Sequence, residues 1–319
     1  MKLVSLIPME SYHKEALKGL LPDAEILYRT PASVTEKDLE GAEIILGNPK
    51  PAWVSKCSTL KLLQLQSAGA DGYTAEGVLP KGCALCNTTG AFGLAISEHM
   101  LAVTLALLKK LPSYYEEQKK HAWTDLGEVH SIWNSRTLVV GLGDIGGEYA
   151  AKMHLLGSHV TGIRRTKQEK PDYLEALYQM DALDTELPKA DIVATVLPRT
   201  AETYKVFNAE RFALMKPGAL FINVGRGNAV DSMALYDALC SGHLGGASVD
   251  VTDPEPLPAD HPLWTAPNLI LTPHVSGFFH LRETYERIVR IAIENVGHQV
   301  KNEPLRNVID FSTGYRKLP

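Results

Sequence analysis

The stretch that most constrains the fold is residues 137–166, TLVVGLGDIGGEYAAKMHLLGSHVTGIRRT. Thr137–Val140 is a short apolar run rich in β-branched residues, the composition of a buried parallel strand. Gly141, Gly143 and Gly146 follow at G-x-G-x-x-G spacing, with Asp144 and Ile145 between the last two. Glu148–Leu156 has helical character, and Ser158–Ile163 reads as a second strand. Gly141 permits the tight turn, Gly143 lets the backbone approach a pyrophosphate, and Gly146 lets helix and strand pack closely. The helix N-terminus presents N–H groups and a positive dipole end to phosphates. A G-x-G-x-x-G alone is weak. Set between strand, helix and strand within about 30 residues, it points to a dinucleotide-binding Rossmann unit.

The end of the second strand narrows the cofactor. A site for NAD places Asp or Glu there, about 20 residues past the glycines, to bind the ribose 2′-OH. Here Arg164, Arg165 and Thr166 occupy it. Two guanidiniums and a hydroxyl suit a 2′-phosphate, since Arg grips phosphate through a bidentate fork. The expected cofactor is therefore NADP, as NADPH, with NAD as the second choice.

A chain of 319 residues is long enough for two domains. With 45% hydrophobic and 22% charged residues it has the composition of a soluble globular protein. A net charge of −5 argues against nucleic-acid and membrane partners, which usually select basic surfaces. Cys83 and Cys86 form a lone C-x-x-C without a second ligand pair, so no metal is expected, and Cys57, Cys83, Cys86 and Cys240 read as buried or partly buried thiols of a reducing cytosol. The start, MKLVSLIPM, reads as a first strand, because its apolar run is too short for a signal peptide. No apolar stretch reaches the roughly 20 residues of a membrane span. The expected location is cytoplasmic.

Strands are expected at Lys2–Ile7, Ala24–Tyr28, Glu43–Leu46, Leu60–Leu65 and Ala84–Cys86, with helices at Ser11–Leu21 and Thr35–Leu39. This alternation predicts a small α/β unit with a parallel sheet. A long helix from Ala95 to Lys119, kinked or ended near Pro112, leads into the dinucleotide domain. His121–Asn134 is irregular, with Trp123 and Trp133 as packing residues. Further strands are expected at Ile192–Leu197, Leu220–Val224, Gly246–Val251 and Leu269–Leu271, with helices at Ala209–Leu214 and Ser232–Ser241. A last amphipathic helix spans Leu281–Val300. The expected domains are 1–98 plus 281–319, for substrate, and 99–280, for the dinucleotide.

Three segments at strand ends carry the chemistry: Asn223–Gly227 (NVGRG), Asp250–Pro256 (DVTDPEP) and Leu271–Gly277 (LTPHVSG). In a doubly wound fold, ligands bind beyond the carboxyl ends of the strands, so all three face the crevice of the glycine loop. With that loop, these segments resemble the D-isomer-specific 2-hydroxyacid dehydrogenase family. The Ser67–Asp71 turn, the stretch TTGAFGLAISE (Thr88–Glu98) and LRNVID (Leu305–Asp310) extend the resemblance over nearly the whole chain. It implies an α/β fold of two similar parallel-sheet domains, Rossmann- or flavodoxin-like, with the active site in the cleft between them, and a homodimer.

Reducing a 2-oxo acid needs a hydride, a proton for the carbonyl oxygen, and a cation to hold the substrate. His274 suits the proton role, because imidazole titrates near physiological pH. Glu255, hydrogen-bonded to it, would orient the ring and favour the imidazolium. Arg226 can bind the carboxylate and polarise the carbonyl. The resemblance implies the same catalytic set, Arg226, Glu255 and His274. It also implies a carboxylate held by backbone N–H groups at Ala68, Gly69 and Ala70. To the cofactor it assigns Leu197, Pro198, Val224, Gly225, Arg226, Asp250, His274, Ser276 and Gly277, with Asp250 on the nicotinamide carboxamide.

The expected reaction is reduction of a small 2-oxo acid, such as glyoxylate, hydroxypyruvate or a larger apolar one, to the D-2-hydroxy acid. The sequence HVSG replaces the commoner H-I-G/A-G. Asn48, Trp53, Tyr73, Trp264, Phe278 and Phe279 are candidates for side-chain specificity. A phosphoglycerate-type dehydrogenase would need basic substrate loops, and GNPKPAW and SAGADGYT offer only Lys50. A non-catalytic, dinucleotide-sensing corepressor-like scaffold is the alternative outside enzymes; it would be expected to carry long tails and to lack the Arg226–Glu255–His274 set.

Overall fold

Parallel strands account for both sheets of the protein. A computed structural model describes residues 1–311, 313–314 and 316–317. The chain divides into two units, Gly93–Phe278 and a unit made of Met1–Phe92 together with the chain from Phe279 on.

In the discontinuous unit, the strands are β1 (Lys2–Ser5), β2 (Glu25–Tyr28), β3 (Ile44–Leu46), β4 (Leu62–Gln64) and β5 (Ala84–Cys86). They lie in the order β2-β1-β3-β4-β5, every neighbouring pair parallel. All residues of β3 and β4 are buried, as expected when helices cover both faces of a sheet. Thr35 caps the helix Glu36–Leu39 through a reciprocal box with Asp38. The late part of the chain completes this unit. Asn295, in the helix Arg282–Lys301, donates to Gln64 Oε1 at 2.6 Å, and Ile309 N–H donates to Leu85 O at 2.8 Å.

In the second unit the strands are β6 (Arg136–Val140), β7 (His159–Ile163), β8 (Ala176–Tyr178), β9 (Ile192–Thr195), β10 (Leu220–Asn223), β11 (Gly246–Val249) and β12 (Leu269–Leu271). The order is β12-β11-β10-β9-β6-β7-β8, again parallel throughout. The chain leaves β6 for β7 and β8, then returns to the other side of β6 with β9. That reversal makes the β6/β9 junction the switch point, where ligands bind in open α/β sheets. On one face Phe207, Phe212 and Phe221 pack together, with Phe221 at 4.9 and 5.1 Å from the other two ring centroids. Fully burying one such side chain stabilises by about 1.5–3 kcal/mol.

Several expectations are refined by local chemistry. The long helix is two helices, Gly93–Leu108 and Leu111–Lys119, broken at Lys110, whose φ is +54°. Pro112 cannot sit inside a continuous helix, because its ring clashes with the carbonyl four residues earlier, but it is tolerated in a first turn. The edge strand β8 is a further element. Ala176 and Leu177 are half-buried and Tyr178 is exposed, and three residues are too few to show a pattern. Trp123 is not a packing residue, being fully exposed, and Trp133, 73% exposed, lays its indole against Gly157. The thiols Cys57, Cys83 and Cys86 are buried and Cys240 is exposed. Burial pushes Cys83 and Cys86 up to about 12, which keeps them protonated and inert. Among the described residues, no helix is long and apolar enough to cross a membrane.

Candidate active site

Glycines bring main chain against main chain at the carboxyl edge of the seven-stranded sheet. A Cβ on Gly141 would lie 2.5 Å from Val196 O, and one on Gly146 would lie 2.3 Å from Gly141 O. Gly141 also has φ +98°, a region that favours glycine. Gly143 is different: a Cβ there would meet nothing within 4 Å. It precedes the helix Asp144–Leu155 as its N-cap, so the open space lies over a helix N-terminus. Open volume there, with N–H groups and a positive dipole end, fits a dinucleotide pyrophosphate. Asp144 and Ile145 form the first turn of that helix.

β7 ends at Ile163, and Arg164, Arg165 and Thr166 follow at once. The Arg164 N–H donates to Tyr178 O at 3.0 Å, its guanidinium donates to Gln168, and Gln179 donates to Arg165 O at 3.1 Å. These contacts hold the basic segment beside the strand end, at the ribose position of a Rossmann unit. The residues present therefore fit a phosphorylated dinucleotide.

Arg226 is fixed by its neighbours. A Cβ on Gly225 would meet Leu197 N at 2.5 Å, and one on Gly227 would meet Thr252 C at 2.0 Å. The loops after β9, β10 and β11 are thus pressed together around Arg226. Asn223 adds a brace, accepting from Gly225 N–H at 3.0 Å and donating to Arg226 O at 3.2 Å. The guanidinium of Arg226 donates to Gly225 O at 2.9 Å. Leu197 and Val224 are buried beside it, and Pro198 is half-buried.

Glu255 and His274 meet as expected, with Glu255 Oε2 3.0 Å from His274 Nδ1. A carboxylate only accepts, so Nδ1 carries the proton and Nε2 is left to face a ligand. The other oxygen of Glu255 accepts from Thr252 N–H at 3.0 Å, which fixes the carboxylate. His274 is half-exposed and has φ +53°, a left-handed conformation unusual for its residue type. Asp250 lies under this turn. Thr272, Val275 and Ser276 all donate to its carboxylate, and Gly277 follows them. Thr252 and Thr272 are supporting residues that sequence reasoning missed; a threonine in a loop carries no signal of the backbone it braces.

The Ser67–Ala70 turn belongs to the other unit. Ala68 O accepts from Asn87 at 2.6 Å, Gly69 O from the Ser67 hydroxyl at 2.7 Å, and Ala70 O from Tyr73 N–H at 3.1 Å. In a trans peptide the next N–H points opposite the carbonyl. The N–H groups of Gly69 and Ala70 therefore face away from this network, and neither donates to an acceptor among the described residues. Two specificity candidates are used up here: Asn48 donates to the Ser67 hydroxyl, and Tyr73 is buried with its hydroxyl on Pro49 O. Trp53 packs against the core of the same unit. Trp264 and Phe278 are more than half exposed, and Phe279 stacks edge-on with Tyr285.

Comparison with known proteins gives one consistent result. The NAD-binding domain model of the D-isomer specific 2-hydroxyacid dehydrogenases matches residues 101–276. A glyoxylate/hydroxypyruvate reductase B from Escherichia fergusonii is 32% identical over 265 residues, covering 80% of each chain. A D-isomer specific 2-hydroxyacid dehydrogenase family protein from Aeromonas salmonicida superposes with a TM-score of 0.85 at 35% identity, covering 97% of this chain and 99% of that one. An NADPH-dependent glyoxylate/hydroxypyruvate reductase from Sinorhizobium meliloti, solved with NADP and sulfate, superposes with a TM-score of 0.84 at 28% identity, covering 98% and 99%.

The glycine geometry separates folding from binding. Gly143→Ala should leave the thermal midpoint nearly unchanged yet weaken dinucleotide binding, measured by calorimetric titration. Gly146→Ala should also lower stability, by about 1–3 kcal/mol or more, because its methyl meets backbone.

Proposed function

We propose that this chain, which belongs to the D-isomer-specific 2-hydroxyacid dehydrogenase family and is thus an NAD(P)-dependent oxidoreductase acting on CH–OH donors, works as an NADPH-preferring reductase of a small 2-oxo acid. The product is the D-2-hydroxy acid. The observation that carries this reading is the Glu255–His274 pair and Arg226 on loops at the same sheet edge as the glycine loop. The relatives named as glyoxylate/hydroxypyruvate reductases support a short 2-oxo acid as the substrate.

When bound, the reduced nicotinamide supplies a hydride to the carbonyl carbon. The residues of the chain do the rest. Arg226 holds the substrate carboxylate and draws electron density toward the carbonyl oxygen. The imidazolium of His274 gives its Nε2 proton to that oxygen as the C–H bond forms, leaving a neutral ring with Nδ1–H still on Glu255. In the reverse direction the neutral ring takes the hydroxyl proton. The N–H groups at Ala68, Gly69 and Ala70 serve as further carboxylate donors. Gly141, Gly143, Asp144, Ile145 and Gly146 hold the pyrophosphate, and Arg164, Arg165 and Thr166 hold the 2′-phosphate. Leu197, Pro198, Val224, Gly225, Ser276 and Gly277 frame the nicotinamide end.

The protein acts as a cytoplasmic homodimer in this reading. All four cysteines are free, as a reducing compartment keeps them. The exposed Trp123 and Trp133 both belong to the irregular segment 121–134, which offers apolar surface suited to a second copy. Sedimentation equilibrium should give twice the chain mass, and Trp123→Ala should shift it toward the monomer.

The activity is tested by following NADPH and NADH oxidation with glyoxylate, hydroxypyruvate and phenylpyruvate. No oxidation with any of them would refute the reductase reading. His274→Ala should lower kcat by roughly 10²–10⁴-fold, the usual weight of a general acid, while cofactor affinity stays within about twofold. Arg164→Asp should move preference from NADPH toward NADH, and an unchanged ratio of kcat/KM values would mean that the 2′-phosphate lies elsewhere.

A further inference from the structure

At the carboxyl edge of the five-stranded sheet, one cation stands without a carboxylate. β3 and β4 are hydrogen-bonded parallel neighbours, so the loops that leave their ends, Gly47–Lys50 and Leu65–Gly72, run side by side. Asn48 joins them, accepting from Gln66 N–H and donating to the Ser67 hydroxyl, both at 2.9 Å. The Tyr73 hydroxyl donates to Pro49 O, and a Cβ on Gly72 would lie 3.5 Å from Pro51 Cγ. Lys50 sits between these two contacts, as the N-cap of the short helix Pro51–Val54. Its ammonium lies 4.7 Å from the centre of the half-buried Trp53 ring. Among the described residues that ammonium has no hydrogen-bond or ion-pair partner, and Asp71, the acid of the neighbouring loop, has a partner of its own. The other loops at this edge lack such a charge. Leu6–Glu10 and Asn87–Phe92 hold no Lys or Arg, and Arg29 after β2 is tied to Asp38 at 2.8 Å.

We infer that Lys50 is a specificity-determining residue: its ammonium receives a second, distal carboxylate, and the preferred substrates are 2-oxo dicarboxylates. This rests on the reductase reading above, in which the N–H groups of Ala68, Gly69 and Ala70 hold the carboxylate next to the carbonyl. Those N–H groups and Lys50 belong to adjoining loops tied into one platform, so a short diacid can meet both. The face of Trp53 attracts the ammonium but does not neutralise it. The lysine is thereby held in place with its charge uncompensated, and less freedom is lost when an anion binds. An ammonium carries three donors, and the ring covers only one side of it. One such group matches a singly charged carboxylate. A phosphate carries more charge than one ammonium offsets, and this edge supplies no second unpaired cation among the described residues.

Chain-matched acids read the inference directly. With NADPH, kcat/KM is measured for 2-oxoglutarate against 2-oxopentanoate, and for oxaloacetate against 2-oxobutanoate. The parent should favour the diacid by about tenfold, as expected for one hydrogen bond between charged groups. Lys50→Gln should abolish that preference, and Lys50→Arg should keep it. A merely structural lysine would slow diacid and monoacid alike, so a ratio unmoved by Lys50→Gln would overturn the inference, as would a parent without preference for the diacids. A second measurement needs no turnover. With NADP+ present, which has no hydride to give, 2-oxoglutarate should shift the Trp53 indole N–H resonance, assigned from the spectrum of Trp53→Phe, and 2-oxopentanoate should not. The shift should vanish in Lys50→Gln; an equal shift in parent and variant would also overturn the inference. If the parent reduces none of these acids, the reductase reading fails, and the Trp53 titration still decides whether Lys50 takes a diacid.

Discussion

Main-chain contact without intervening side chains is the constraint on which the seven-stranded unit depends. At Gly141, Gly146, Gly225 and Gly227 the backbone of one loop lies where a neighbour's Cβ would have to be. These contacts fasten the loops after β6, β9, β10 and β11 to one another at one edge of the sheet. Glycine residues weaken an unfolded chain's commitment to any conformation, so this arrangement costs entropy. What it provides is rigidity where the chemistry needs it. Arg226 stands between two glycines, and its position is set by the loops that press on them.

The same economy governs the polar groups. Glu255 uses one oxygen on His274 and the other on Thr252 N–H, so the orienting carboxylate is itself oriented. Asp250 accepts from Thr272, Val275 and Ser276 on the turn that bears His274. In the other unit, Ser67, Asn87 and Tyr73 draw the carbonyls of the Ser67–Ala70 turn inward and turn its N–H groups outward. Each of these groups is held in place by a second polar group.

Much of this was legible in the residues. The buried strands announced themselves because both faces are covered, which makes runs such as Ile44–Leu46 uniformly apolar and leaves Thr195 the one polar residue of Ile192–Thr195. The Glu255–His274 pairing followed from chemical complementarity on neighbouring strand ends. The edge strand β8 did not announce itself, because an edge needs no apolar pattern. The exposure of Trp123 ran against composition, since a tryptophan in a loop ordinarily packs. Asn48 and Tyr73 looked like substrate contacts from their place after strands. Their hydrogen bonds to Ser67 and Pro49 are long-range in sequence, and no local pattern encodes them.

The discontinuity of the first unit has a consequence for synthesis on the ribosome. The strands of Gly93–Phe278 are all translated before the helix Arg282–Lys301, which supplies Glu286 to His13 at 3.0 Å and Asn295 to Gln64. The inserted unit can therefore reach its native sheet while the nascent chain is still growing. The unit that begins first must wait, its early strands β1–β5 lacking their closing helix until all of Gly93–Phe278 has been made. Its exposed apolar face in that interval, rather than any step of the dinucleotide unit, is where a chaperone would engage the chain.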